Sequence, residues 1–292
     1  MNKPIFSPHK RGKSPTPSVT RKSGKSKTTI LSKSQFSFIT LFKSSTKTFQ
    51  NPEYRDYMED ITLTQHGFMK DSNKHIFAIF DGHGGDESAK MCQELFPEIF
   101  SLLTKQSPFN VEQNLKKSFQ KLDEEAKKRK YKTLGNTATV IYITNKTLFC
   151  ANVGDSSCVI VFNDNAKKVS FDDKASEPSE IKRIESCGGK VIDDRLNGVL
   201  AISRGIGDLD MKDKGLSCEP HVYKTLIDET TEYCIIASDG IWDVIEPIDV
   251  YKICKRDNNP DIIVESIVDE AIEKGSEDNI SCIVICLKEG KK

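Results

Sequence analysis

Ile76-Phe77-Ala78-Ile79-Phe80-Asp81-Gly82-His83-Gly84-Gly85 is the stretch that decides the reading of this chain. Five apolar residues run straight into an acid, a histidine and three glycines. A short run rich in aromatic and β-branched residues fits a buried strand better than a helix. The chain must turn tightly at its end, and glycine lacks the Cβ that would clash there. Asp81 therefore stands at a strand mouth, with backbone groups beside it and His83 two residues on. A hard divalent cation takes carboxylate and carbonyl oxygens, and this turn can supply both. The plainer alternative is a strand closed by an ordinary glycine turn with a surface histidine.

Outward from that strand, Asp60 to His66 alternates with period two and predicts a half-buried strand, joined to Lys74–Phe80 by a hairpin over Gly67–Asn73. Glu87 to Leu103 and Val111 to Lys130 predict a pair of amphipathic helices. Strands follow at Thr137–Thr144, Thr147–Val153 and Cys158–Phe162, with turns at Asn145-Lys146 and Gly154-Asp155. Pro178 to Ser186 reads as a helix stopped by Gly188-Gly189. Tyr233 to Ala237 is a buried strand ending at Ser238-Asp239-Gly240. A helix opens at Asn259-Pro260, and Ile280 to Leu287 closes the chain as a strand. Near the start, Phe36, Phe38 and Thr40 leading into Leu41-Phe42 predict a strand from about Gln35. Strands in consecutive groups with helices in pairs favour antiparallel sheets with helices packed outside, an α+β fold.

The 292 residues carry equal numbers of acids and bases, 43 of each, but unevenly. Eleven bases and no acid precede Glu53, leaving 32 bases against 43 acids in the remainder. Residues 1–33, mostly Lys, Ser, Thr and Pro with few large apolar side chains, predict a disordered basic tail; 34–289 predict one domain. Ser7-Pro8, Ser14-Pro15 and Thr16-Pro17 in the tail are candidate sites for proline-directed kinases. An acidic body argues against a whole-domain nucleic-acid footprint. Nine scattered cysteines without a Cys-x-x-Cys pair read as reduced thiols, not zinc ligands or a disulfide frame. With Met1-Asn2-Lys3-Pro4 leading into charges and no run of membrane-spanning length, the expected location is cytoplasmic or nuclear.

Three further acidic spots resemble the first. Arg55-Asp56-Tyr57-Met58-Glu59-Asp60 stands before a strand, Ala237-Ser238-Asp239-Gly240 ends one, and Ser276-Glu277-Asp278-Asn279 precedes the last. One acid in a turn is commonplace. Carboxylates brought together repel and raise each other's pKa unless cations neutralise them. If these four spots converge, bound metal is the natural reason.

Arg-x-x-Met-Glu-Asp, Asp-Gly-His-Gly-Gly, Gly-Asn-Thr-Ala (135–138), Asn-Val-Gly-Asp-Ser (152–156), Leu-Ala-Ile-Ser-Arg-Gly-Ile-Gly-Asp (200–208), Ala-Ser-Asp-Gly-Ile-Trp-Asp (237–243) and Asp-Asn-Ile-Ser (278–281) occur in that order. The ordered set strongly resembles the protein phosphatase 2C family of metal-dependent serine/threonine phosphatases, over about residues 35–288. The resemblance implies two stacked antiparallel sheets flanked by pairs of helices, with two Mg²⁺ or Mn²⁺ ions at one edge and a weaker third. By the same resemblance, Asp81 bridges both metals and the Gly82 carbonyl completes one shell. Glu59, Asp239 and Asp278 hold the second metal, Asp60 supports metal-bound water, and Asp155 serves the third. Arg55 matches the phosphate-binding arginine and His83 the general acid. Phosphorylated proteins are the implied substrates and a monomer the expected state. Ser203-Arg204, Gly207-Asp208 and Trp242 read as structural. The family's Asp-His-Lys-Pro is here Asp172-Asp173-Lys174-Ala175, and its arginine after Gly-Asp-Ser is Ser157. The competing readings are a catalytically silent phosphatase-like scaffold and, more remotely, a two-metal nuclease.

Overall fold

The computed structural model describes residues 42–288. In chain order the main elements are β1 (Lys43–Phe49), β2 (Asp60–His66), β3 (Lys74–His83), α1 (Glu87–Gln106), α2 (Val111–Arg129), β4 (Ala138–Thr144), β5 (Thr147–Val153), β6 (Ser157–Phe162), β7 (Ala166–Lys168), α3 (Pro178–Ser186), β8 (His221–Leu226), β9 (Thr231–Ala237), α4 (Pro247–Cys254), α5 (Pro260–Glu273) and β10 (Ile280–Cys286). Every ladder between these strands is antiparallel. One sheet runs β1-β10-β9-β6-β7; the other runs β2-β3-β4-β5-β8. This is the α+β architecture of stacked antiparallel sheets that the sequence predicts.

The apolar run at 76–80 shows why the sheets stack. Side chains of a strand alternate between its two faces. Ile76, Ala78 and Phe80 pack with Phe96 and Phe100 of α1 and Phe119 of α2. Phe77 and Ile79 point the other way, into a core shared with Ile160, Ile236 and Ile283 of the opposite sheet. Burial on both faces removes the alternation expected of a half-exposed strand. The second sheet covers its outer face with α4 and α5, through Val250, Ile263 and Ile267 against Ile235 and Val284.

The predicted strand from Gln35 lies outside the described residues except for Phe42; the first strand found is β1, one step further on. Its sequence, Lys-Ser-Ser-Thr-Lys-Thr-Phe, is polar because it is an edge strand paired on one side only, with β10. Edge position also accounts for β8, whose His-Val-Tyr-Lys-Thr-Leu carries too little apolar signal to be read from sequence.

Candidate active site

Beyond β3 and β4, the ladder continues as short pairings. Gly82 and His83 lie opposite Asn136 and Gly135, which in turn lie opposite Ile206 and Gly207. Gly82 is required where it stands: a Cβ there would meet the Glu59 carbonyl oxygen at 2.8 Å. Next to it, Asp60 and Asp81 face each other directly across β2 and β3. Like charges in directly opposed positions destabilise a sheet, so this pairing needs a reason.

The other acids arrive at the same mouth. Asp155 sits in the turn between β5 and β6, Asp239 begins the helical turn that follows β9, and Asp278 precedes β10. Burial pushes the Asp81 carboxyl well above its usual range, and the charges of Asp60, Asp239, Asp155 and Asp278 push it further. Burial raises Asp239 likewise, helped by Asp155 and Asp278. Asp60, 4% exposed, is pushed up to about 6 by burial, with Asp278 adding to the rise; Ser238 Oγ donates to it at 2.8 Å. Asp155 is raised to about 6 by burial against the pull of Lys174. Burial also raises Asp278, opposed by the Asn279 backbone N–H and by Arg55.

The five aspartates thus feel one another's charge. Even so, among the described residues no three His, Cys, Asp or Glu side chains are gathered tightly enough to form a coordination shell. Their convergence shows in the charges they exert on one another. Glu59 Oε1 accepts the Gly85 N–H at 2.6 Å. Arg55 ion-pairs with Asp278 through Nη2 and donates from Nε to the Glu277 carbonyl at 3.2 Å. His83 Nε2 lies 2.6 Å from Asp208 Oδ2. Burial opposes charge on this ring, but the Asp208 bond and the Asp208, Glu59 and Asp155 charges outweigh it and raise its pKa.

Two further residues contact the predicted site residues. Asn279 accepts the Glu59 N–H at 2.8 Å and donates to the Gln50 and Tyr57 carbonyls at 2.8 and 2.9 Å. It staples the segment bearing Arg55, Glu59 and Asp60 to the turn bearing Asp278. The signal was present in Asp-Asn-Ile-Ser, where only the acid was read. Asp208 reads as structural in the sequence, yet it bonds the predicted acid. Trp242 behaves as expected, donating Nε1 to the Ser157 and Ala237 carbonyls at 3.1 and 2.9 Å.

The departures at 157 and 173 are absorbed locally. Ser157 Oγ donates to Asp172 at 2.7 Å. Asp173, 1% exposed, accepts the Gly154 N–H at 3.0 Å, lies 2.9 Å from His221 Nε2 and pairs with Arg204.

Fold and site together describe a two-sheet antiparallel sandwich with acids at one mouth, and comparison with known proteins gives it a family. Residues 45–280 match the family profile of protein phosphatase 2C. The chain is 34% identical over 245 residues to a probable protein phosphatase 2C 52 of Oryza sativa subsp. japonica, covering 81% of this chain and 49% of the relative. It is 30% identical over 256 residues to protein phosphatase 2C homolog 1 of Saccharomyces cerevisiae, covering 82% and 91%. Among solved structures, that of a C. elegans sex determining protein superposes with a TM-score of 0.77 at 28% identity, covering 85% of this chain and 65% of that one. The chain belongs to the protein phosphatase 2C family. It spans about half to two thirds of the length of several curated relatives that it matches.

Proposed function

We propose that the chain is a metal-dependent protein phosphatase that hydrolyses phosphoserine and phosphothreonine esters without a phosphoenzyme. The observation that carries this reading is the crowding of Asp60, Asp81, Asp155, Asp239 and Asp278 at one mouth of the sandwich, with Arg55 and His83 at its rim.

The donor set fits a hard divalent cation. It is all oxygen, largely buried and mutually repelling, so Mg²⁺ or Mn²⁺ offsets a cost that the protein otherwise bears. Two ions would be held by Asp81 with the Gly82 carbonyl and by Glu59, Asp239 and Asp278, with Asp60 in support and Asp155 serving a weaker third. Bound there, the ions supply Lewis acidity toward phosphoryl oxygens and acidify water.

The rest is done by the chain. The planar Arg55 guanidinium can grip two phosphate oxygens at once. Water attacks phosphorus as the bond to the seryl or threonyl oxygen breaks, and His83 supplies that oxygen with a proton. A thiol nucleophile is disfavoured where it is buried: Cys92 and Cys254 are pushed up to about 12 by desolvation. Nine free cysteines, most of them buried, support action in a reducing compartment, the cytoplasm or nucleus.

The test is phosphate release from a phosphothreonine peptide, with Mn²⁺ or Mg²⁺ and with EDTA, alongside calorimetry of Mn²⁺ binding. Metal-dependent release is expected. Turnover indifferent to EDTA, or no Mn²⁺ binding, would sink the reading.

A further inference from the structure

We infer that Asp208 is a positioning residue that fixes the His83 ring for proton delivery to the oxygen leaving phosphorus. This rests on the phosphatase reading above and extends it to a residue outside the metal-facing acids.

The geometry is built for the pair. The short pairings at the mouth put Gly135 between His83 and the segment that ends at Gly207-Asp208. A Cβ on Gly135 would fall 1.8 Å from Asp208 Oδ2 and 2.7 Å from His83 Nε2. The space a side chain would take at 135 is therefore filled by the hydrogen bond itself. Asp208 is 2% exposed, whereas a third of the His83 side chain remains open. One edge of the ring is thus anchored inside and the rest faces out.

The backbone of Asp208 is left-handed, with φ 47° and ψ 52°. Aspartate tolerates this region better than most residues, but the conformation needs support from its surroundings. Support comes from Asp208 N donating to Leu134 O at 3.0 Å, Leu209 N to Tyr131 O at 3.1 Å and Gly207 N to Asp123 Oδ1 at 3.0 Å. Among the described residues, the polar partner of this carboxylate is the imidazole 2.6 Å away.

The chemistry follows from which nitrogen is engaged. Asp208 accepts the Nε2–H, which leaves Nδ1–H as the proton to be given. As the phosphorus–oxygen bond breaks, Nδ1–H breaks and an O–H bond forms on the seryl or threonyl oxygen. Asp208 remains a carboxylate throughout and touches no substrate. Solvent returns the proton to the ring afterwards. A carboxylate that sets the tautomer and orientation of a working histidine is a recurrent device on unrelated folds.

The test uses the full chain at fixed Mn²⁺, with a phosphothreonine peptide and a series of aryl phosphates ending in p-nitrophenyl phosphate. The phenolate of the last departs with little need of a proton. Asp208→Ala is expected to lower kcat on the phosphopeptide about 10²-fold, the usual size of a general-acid contribution. Its loss on p-nitrophenyl phosphate should be at least about tenfold smaller, so that kcat depends more steeply on leaving-group basicity. Added to His83→Ala, it should cost little more, because the two act as one unit. Asp208→Asn keeps the size and an acceptor oxygen, should fall between wild type and Asp208→Ala, and carries the test if the alanine variant unfolds. Equal losses on all substrates, or losses that add to those of His83→Ala, would overturn the proposal in favour of a merely structural ion pair. A wild-type chain that releases no phosphate from any substrate would instead overturn the phosphatase reading itself.

Discussion

Two buried acid clusters in this molecule are treated in opposite ways. At the mouth, Asp81 has acids for neighbours, and both burial and charge push its carboxyl up. Glu180 on α3 is also buried, yet its oxygens accept from Arg204 Nη2 at 2.8 Å, Arg183 Nη2 at 2.6 Å and Ser203 Oγ at 2.7 Å. Burial alone would raise Glu180, but these partners prevail and bring it down to about 2. A buried charge persists when it is paired. Glu180 is paired within the protein, and Asp81 is left for something outside it. Contrast in compensation, more than burial or acidity, separates the site from the scaffold.

The largest expected effect breaks the comparison on the mouth side. Asp81→Ala or Asp239→Ala should cost on the order of 10³-fold in metal-dependent phosphate release, the scale of removing a main electrostatic element. The same variants in EDTA should melt no lower than wild type, because each removes a buried charge that its neighbours repel. Parallel loss of stability, followed by thermal melting, would mean that these acids are scaffold after all.

The second effect breaks it on the Glu180 side. Arg204→Ala strips a partner from both Glu180 and Asp173 and leaves buried carboxylates under-compensated. A loss of about 3 kcal/mol in urea unfolding is expected, at the lower end for a broken buried pair because Arg183 remains. Activity should fall less than in the Asp81 variant.

What sequence could and could not reveal follows the same division. The strands were legible because residues 76–80 form an unbroken apolar run and Asp60–His66 alternates, and their grouping favoured antiparallel sheets with helices outside; the stacking of two sheets came from the family resemblance. The acids were legible because each stands at the end of an apolar run. The ion network was not. Glu180, Arg204, Asp173 and His221 come from four segments, and no local pattern ties His221 on an edge strand to an acid 48 residues away. The contact between Asp208 and His83 was not legible for a related reason: it lies across Gly135, and only the tertiary pairing shows that the missing side chain makes room for it. Arg55 matches the family's phosphate-binding arginine by resemblance, but its ion pair with Asp278 became visible only with the fold.

A subtler effect sharpens the contrast through pH. Asp60 is raised to about 6 in the fold from an ordinary 3.8, so the fold favours its protonated form. Its destabilising charge is absent below about pH 4 and fully present above about 6. For Glu180 the sign is reversed: its contribution is present above about 4.5 and is lost as pH falls toward 2. In EDTA, Asp60→Asn should therefore be more stable than wild type by about 1–3 kcal/mol at pH 7.5, since a tenfold change in proton affinity is worth roughly 1.4 kcal/mol. That advantage should vanish by pH 4 in denaturant titrations. An advantage independent of pH would assign the effect to packing.

The smallest effect tests whether pairing alone, without burial, has any weight. Lys47 Nζ on edge strand β1 lies 2.7 Å from Glu265 Oε2 on α5, a shorter contact than the 2.8 Å between Arg204 and Glu180. Both side chains are more than a third exposed. In water the Coulomb gain of such a pair is largely spent on ordering two long side chains, and salt screens what remains. Lys47→Ala should shift stability by less than about 0.5 kcal/mol, and salt at about 0.5 M should erase even that. A loss comparable to Arg204→Ala would mean that distance, not desolvation, sets the value of an ion pair here. The distinction drawn between Glu180 and Asp81 would then lose its physical basis, because both were separated on compensation inside a low-dielectric interior.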